Sequence, residues 1–94
     1  MSREPLSGEE IARALQELDG WTFENDRLVK QVAFGDFREA MGFIVRVAFE
    51  AEALDHHPDL HNAYNRVTLA LNTHDAGGKV TAFDVALAKK IDRL

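Results

Sequence analysis

The order of the sequence signals predicts an α+β fold: a helix, two strands, a long helix, one or two further strands and a last helix. Three observations carry that prediction. Apolar residues recur at helical spacing in three stretches, each opened by a capping pattern. The stretches between them alternate in the manner of half-buried strands. At 94 residues the chain suits one domain over 1–94, and a domain of this size buries roughly 60–70% of its unfolded surface in one compact core. An order that is neither regularly alternating nor all-helical puts the helices on one face of an antiparallel sheet. The other face and the sheet edges are then left to solvent or to a partner.

Ser7-Gly8-Glu9-Glu10 is a capping box, and Ile11, Ala14, Leu15 and Leu18 follow at helical spacing, so the first helix is expected over about 8–18, closed by Asp19-Gly20. Trp21-Thr22-Phe23-Glu24 alternates, Asn25-Asp26 supplies turn residues, and Leu28 to Phe34 is rich in β-favouring side chains; together they predict a hairpin. Asp36-Phe37-Arg38-Glu39 caps a helix over about 37–54. Its main apolar face is read as Phe37, Met41, Ile44, Ala48 and Ala51, widened by Phe43, Val45, Val47 and Phe49. Such girth calls for cover on more than one side. Pro58 disfavours helical geometry at His57 and sets a limit to the helix.

Residues 59–64 read as polar and irregular. Alternation resumes from Asn65, with Val67, Leu69 and Leu71 on one face and Thr68, Ala70, Asn72 and His74 on the other, which places His74 at a strand end. Asp75-Ala76-Gly77-Gly78 turns the chain, Lys79-Val80-Thr81 adds extended residues, and Thr81 with Asp84 forms a third capping box. Phe83, Leu87, Lys90, Ile91 and Leu94 define the last amphipathic helix.

Composition narrows the functions. The hydrophobic share of 46% and charged share of 29% are those of an ordinary globular protein. A net charge of −5, with 11 scattered basic residues, argues against binding a phosphate backbone, which needs clustered Lys and Arg. The absence of cysteine excludes disulfides, thiolate zinc sites and a cysteine nucleophile. No run reaches the 18 or so apolar residues of a membrane span and the first residues lack a signal-peptide pattern, so a cytoplasmic location is expected.

The most specific stretch is Glu52-Ala53-Leu54-Asp55-His56-His57-Pro58, with His74 further on. Histidine donates and accepts protons near neutral pH, so clustered imidazoles point to proton transfer or to metal binding. Each candidate also has a plain structural reading. His56 and His57 follow a helix C-terminus, where the dipole favours an imidazolium. His74 fits a surface position, Asp84 is accounted for by its capping box, and His61 falls in a polar stretch facing water. The spacing fits metal poorly, because neither a His-Glu-x-x-His helix nor a two-His, one-carboxylate arrangement is present. A glycine-rich phosphate loop and a Gly-x-Ser-x-Gly elbow are also missing.

Glu52-x-x-x-His56-His57-Pro58, with Tyr64, His74 and Asp84 at their intervals, closely resembles the signature of the pterin-4a-carbinolamine dehydratases. The resemblance extends through Gly20-Trp21, Phe34-x-Asp36-Phe37, Tyr64-Asn65-x-Val67 and Thr73-His74, covering nearly the whole chain. It implies a four-stranded antiparallel sheet with about three helices on one face, assembling as a homodimer or homotetramer. It implies a hydro-lyase that dehydrates 4a-hydroxytetrahydropterin to the quinonoid dihydropterin in tetrahydrobiopterin recycling, with no cofactor and no metal. Carried over, the catalytic residues are His56, His57 and His74, and Glu52, Pro58, Trp21 and Asp84 belong in or near the pterin site. His56 and His74 would share acid and base duties while His57 positions the ring. One departure is Leu60, where many relatives carry Trp.

The resemblance carries a second class of function, a protein-binding module. Animal members of the family are also dimerisation cofactors for a transcription factor, and some bacterial relatives are assembly factors for a carbon-fixing enzyme. The intact histidine set favours the enzyme, with a pterin as ligand and a protein partner as a second role.

Overall fold

In the computed structural model, which describes residues Met1–Leu94, the elements are α1 (Gly8–Gln16), β1 (Thr22–Glu24), β2 (Arg27–Ala33), α2 (Phe37–Leu54), β3 (Asp59–Ala63), β4 (Arg66–Leu71), a 3-10 turn (His74–Ala76) and α3 (Ala82–Asp92). The capping chemistry forms at all three helix starts. The Glu10 amide donates to the Ser7 hydroxyl and the Ser7 amide to the Glu10 carboxylate, and these bonds hold the Glu10 carboxyl below its ordinary value. Asp36 accepts from the Glu39 amide at 2.8 Å, and Thr81 with Asp84 closes the third box. α1 ends at Gln16, two residues before the expected end.

The sheet is antiparallel throughout, in the order β1-β2-β4-β3. Asn25 and Asp26 both take positive φ (51° and 63°), as the tight turn joining β1 to β2 requires. The registers Leu28↔Leu71, Lys30↔Leu69 and Val32↔Val67 put these side chains on one face. That face meets the helices: Leu28, Val67, Leu69 and Leu71 join Ile11 of α1, Phe43 and Val47 of α2, and Leu87 and Ile91 of α3 in one buried cluster. Burying each such side chain fully contributes roughly 1.5–3 kcal/mol. No helix is long and apolar enough to cross a membrane.

Two expectations are corrected here. Residues 59–63 are not irregular: they form β3, paired to β4 from Asp59↔Ala70 to Ala63↔Arg66, with Tyr64 at φ 54° in the turn between them. Being a polar edge strand, β3 lacks the apolar alternation that marks a half-buried one. His61 therefore lies on a strand, opposite Thr68 on the sheet face away from the helices, and is exposed. The second correction concerns α2, whose core-facing stripe is Ala40, Phe43, Val47 and Ala51, while Phe37, Val45, Ala48 and Phe49 are exposed. Helical period alone could not rank two overlapping apolar stripes on one helix.

Lys30 is a cation on the core-facing side of the sheet, and the end of α3 supplies its partner. The Asp92 carboxylate accepts from Lys30 Nζ at 2.9 Å, from Trp21 Nε1 at 2.8 Å and from the Asp19 amide at 2.9 Å. Burial pushes the Asp92 carboxyl up, but the Asp19 amide, the Trp21 indole and the Lys30 ammonium together outweigh it, so the group sits below its ordinary value. A depressed folded-state value adds stability that is present above the unfolded carboxylate value of about 3.9 and is lost as pH falls through the folded one. Asp92→Asn is expected to lower stability in urea by about 1–3 kcal/mol at pH 7, with the gap from wild type shrinking below about pH 4. An equal gap at both pH values would contradict this reading.

Candidate functional site

α2 ends by a backbone device. Asp55 takes the left-handed conformation (φ 51°, ψ 44°), which Asp tolerates better than most residues, and the His56 amide closes onto Ala51 O at 3.0 Å and the Asp55 amide onto Glu52 O at 3.1 Å. This paired closure stops the helix at Leu54, upstream of Pro58. It also separates the adjacent histidines. His56 is buried at 8% exposure, and His57 is exposed.

His56 turns inward onto Asp84, the third residue of α3, with Nε2 2.5 Å from Oδ1. Asp84 is fully buried, and its other oxygen, Oδ2, accepts from the Thr81 amide and the Thr73 hydroxyl, each at 2.8 Å. Thr73 and Thr81 hydroxyls lie 2.7 Å apart, and Thr81 Oγ1 accepts from the Phe83 amide. If Thr73 gives its one proton to Asp84, Thr81 must donate to Thr73, and every member of the network is paired; no buried side-chain N or O in the protein lacks a partner. The capping box and the histidine contact are thus not alternative roles for Asp84. One oxygen caps α3 and the other holds His56.

An ionised carboxylate only accepts hydrogen bonds, so with Asp84 ionised His56 Nε2 donates in this pair and Nδ1 is left as the nitrogen free of Asp84. His57 Nε2 meets the Glu52 carboxylate at 2.8 Å, both side chains being largely exposed. His74 does not end a strand: it opens the 3-10 turn after buried Thr73, whose amide donates to Lys79 O at 2.8 Å across the turn. Gly77 and Gly78, at φ 70° and 78°, bring the chain round within this turn.

His56, His57 and His74 line one polar cleft of about 430 Å³, together with Thr73, Asn72, Arg3, Asp55, Asp59 and Asp75. A separate groove between α1 and α3, about 460 Å³ and lined by Leu6, Ala14, Val85 and Ala86 among others, contains no histidine. The three histidines of the signature belong to the first cleft. Glu52 and Asp84 reach it through the histidines they hold, and Pro58 lies between two of its lining residues without lining it. Trp21 is not brought there: it is buried at 6% exposure against the core, with its indole N–H on Asp92. His61 is also outside. No three His, Asp or Glu side chains are grouped to hold a metal ion.

Arg3, Asn72, Thr73 and Asp75 line the cleft without being singled out by the sequence as site residues. Thr73 had a signal only as the neighbour of His74, and Arg3 had none.

A small α+β protein with a histidine cleft braced by a buried carboxylate has the parts of an acid–base site. The chain belongs to the family described as pterin 4 alpha carbinolamine dehydratase, whose model matches residues 4–94. A relative from Opitutus terrae with the provisional name pterin-4-alpha-carbinolamine dehydratase is 57% identical over 95% of this chain and 92% of its own. One of the same provisional name from Mesorhizobium japonicum is 50% identical over 98% and 95%. A crystal structure described as a transcriptional coactivator/pterin dehydratase from Brucella melitensis superposes with a TM-score of 0.91 at 39% identity, covering 96% of this chain and 97% of that one. A pterin dehydratase-like protein described as a RuBisCO assembly factor in the alpha-carboxysome shares the fold, with a TM-score of 0.67 at 20% identity over 80% and 88% of the two chains.

Asp84→Ala is expected to unpair the Thr81 amide, the Thr73 hydroxyl and His56 together, lowering stability by about 3 kcal/mol or more, whereas His74→Ala at the exposed rim should change it by less than about 0.5 kcal/mol. Urea unfolding midpoints compare the two. Equal effects would mean that the network does not brace the fold.

Proposed function

We propose that the protein, acting as one domain, is a hydro-lyase that dehydrates 4a-hydroxytetrahydropterin to the quinonoid dihydropterin. The observation that carries this is the Asp84-braced His56 facing the same cleft as His74. The reaction breaks the C4a–O bond and forms a C4a=N5 double bond. The hydroxyl takes a proton and leaves as water, N5–H gives its proton to a base, and the electron pair freed at N5 makes the new bond. One imidazole that accepts and one that donates balance the step without an oxidant or reductant.

His56 suits the base, because Asp84 fixes its Nε2 proton and leaves Nδ1 with a lone pair. His74 suits the acid: it is exposed, has no side-chain partner in the chain and can exchange protons with water between turnovers. His57, held by Glu52, suits a positioning role on the ring, and Pro58, the next residue, restricts the backbone directly after it. The exposed Phe37, Val45 and Phe49 of α2 support self-association as a dimer or tetramer, and a protein partner on this helix is the second reading.

The wild-type protein should accelerate 4a-hydroxytetrahydropterin dehydration followed by absorbance. His56→Ala and His74→Ala should each lose about 10²- to 10⁴-fold in kcat, and His57→Ala should raise KM more than it lowers kcat. The same preparation should sediment as a dimer or tetramer. No acceleration by folded wild type would reject the dehydratase and move the partner reading to first place, and a monomer at micromolar concentration would reject self-association.

A further inference from the structure

The histidine cleft has a wall that belongs to none of its helices or strands. Residues before α1 cross the start of α3, tied down where the Leu6 amide donates to Val80 O at 2.9 Å and where Leu6 packs on the core. Three residues earlier, Arg3 lines the cleft. Its guanidinium lies over the Phe83 ring, 4.5 Å from the centroid, and Phe83 stands against the His56 ring at 5.6 Å. The guanidinium is therefore held over an aromatic ring that itself packs on His56. A cation stacked in this way keeps its N–H edge available for a planar acceptor.

That edge is unclaimed within the chain. The ion pairs of the protein engage Arg27, Lys30, Lys79, Lys89, Lys90 and two histidines, and none engages Arg3. Arg3 is also the one Lys or Arg lining the cleft, against the carboxylates of Asp55, Asp59 and Asp75. Asp59 is paired with Arg27 at 3.2 Å, which leaves Asp55 and Asp75 without a cation. The cleft thus presents hydrogen-bond acceptors from its aspartates and one fixed donor fork from Arg3.

A pterin's pyrimidine ring has the complementary layout: its 2-amino group and N3–H donate, and its 4-oxo oxygen accepts. We infer that Arg3 is a substrate-binding and specificity-determining residue, whose guanidinium donates to the 4-oxo oxygen of the pterin and selects for it over a 4-amino ring. The inference rests on the dehydratase reading and adds to it the ring orientation. C4a is bonded to C4, so holding the 4-oxo oxygen against Arg3 sets the reacting carbon two bonds from that oxygen, on the side of His56, on which Phe83 packs. Arg3 serves binding rather than proton transfer, so its loss acts on affinity and KM before kcat.

Calorimetric titration with 7,8-dihydropterin and with 2,4-diamino-7,8-dihydropteridine, on wild type, Arg3→Ala and Arg3→Lys, tests this. Wild type should prefer the 4-oxo ring. Arg3→Ala should bind it at least about tenfold more weakly, the size of one charge-assisted hydrogen bond, with little change for the diamino ring and no change in Tm. Arg3→Lys should fall between, since an ammonium lacks the planar fork. The KM for dehydration should rise in Arg3→Ala by the same factor, with kcat nearly kept. If wild type dehydrates the substrate and Arg3→Ala matches it in affinity and selectivity, the Arg3 inference fails alone. If wild type neither binds a dihydropterin nor dehydrates the substrate, the dehydratase reading fails and takes the inference with it.

Discussion

One buried carboxylate ties the site to the fold. Asp84 has no exposure to solvent and spends both oxygens on partners from three segments: the Thr81 amide at the start of α3, the Thr73 hydroxyl after β4, and the His56 ring after α2. An isolated buried charge would cost several kcal/mol, and it is tolerable only where donors converge on it. The folded protein must therefore bring the ends of these elements together before the carboxylate is satisfied. A histidine oriented by that convergence is as rigid as the core around it, which is what a proton-transfer group needs for repeated alignment with a bound ring.

The remaining architecture divides the labour. One sheet face and the inner stripes of the helices form the apolar core, and the Lys30–Asp92–Trp21 cluster makes a polar joint against it that lines no part of the histidine cleft. Apart from Asp59 at the start of β3, the cleft is built from segments that leave regular strands and α-helices: the turn after α2, the 3-10 turn after β4 with the residues leading into it, and the chain before α1. Each is held by a few specific bonds, the left-handed Asp55 closure, the Thr73–Lys79 bridge and the Leu6–Val80 bond respectively. The outer stripe of α2, with Phe49 70% exposed, plays no part in the cleft.

Local chemistry made much of this legible in the sequence. The bounds of α2 followed from the Asp36 cap and the chain-breaking region around Pro58, although the stop itself lies in the Asp55 backbone conformation, which no side-chain pattern announces. The hairpin followed from Asn25-Asp26, two residues suited to positive φ. The polar edge strand β3 escaped, because alternation is visible only when one face is buried. The stripe of α2 was misjudged because sheet and solvent compete for overlapping apolar rows. The histidine cleft was readable as a set of residue types, while its construction was not: Thr73 and Arg3 enter through contacts between positions far apart in the chain. Trp21, which the family resemblance puts in or near the pterin site, sits in the core against Asp92.

For His56 to act as the base, Asp84 must hold its Nε2 proton so that Nδ1 is the nitrogen left for chemistry. Long-range ¹H–¹⁵N correlation spectra of the folded protein at about pH 8, above the ordinary imidazole range, report which ring nitrogen carries the proton. The predicted spectrum shows His56 as the Nε2–H tautomer with an unprotonated Nδ1. A His56 protonated only on Nδ1 would mean that Asp84 does not accept from the ring, and the assignment of His56 as the base would be wrong.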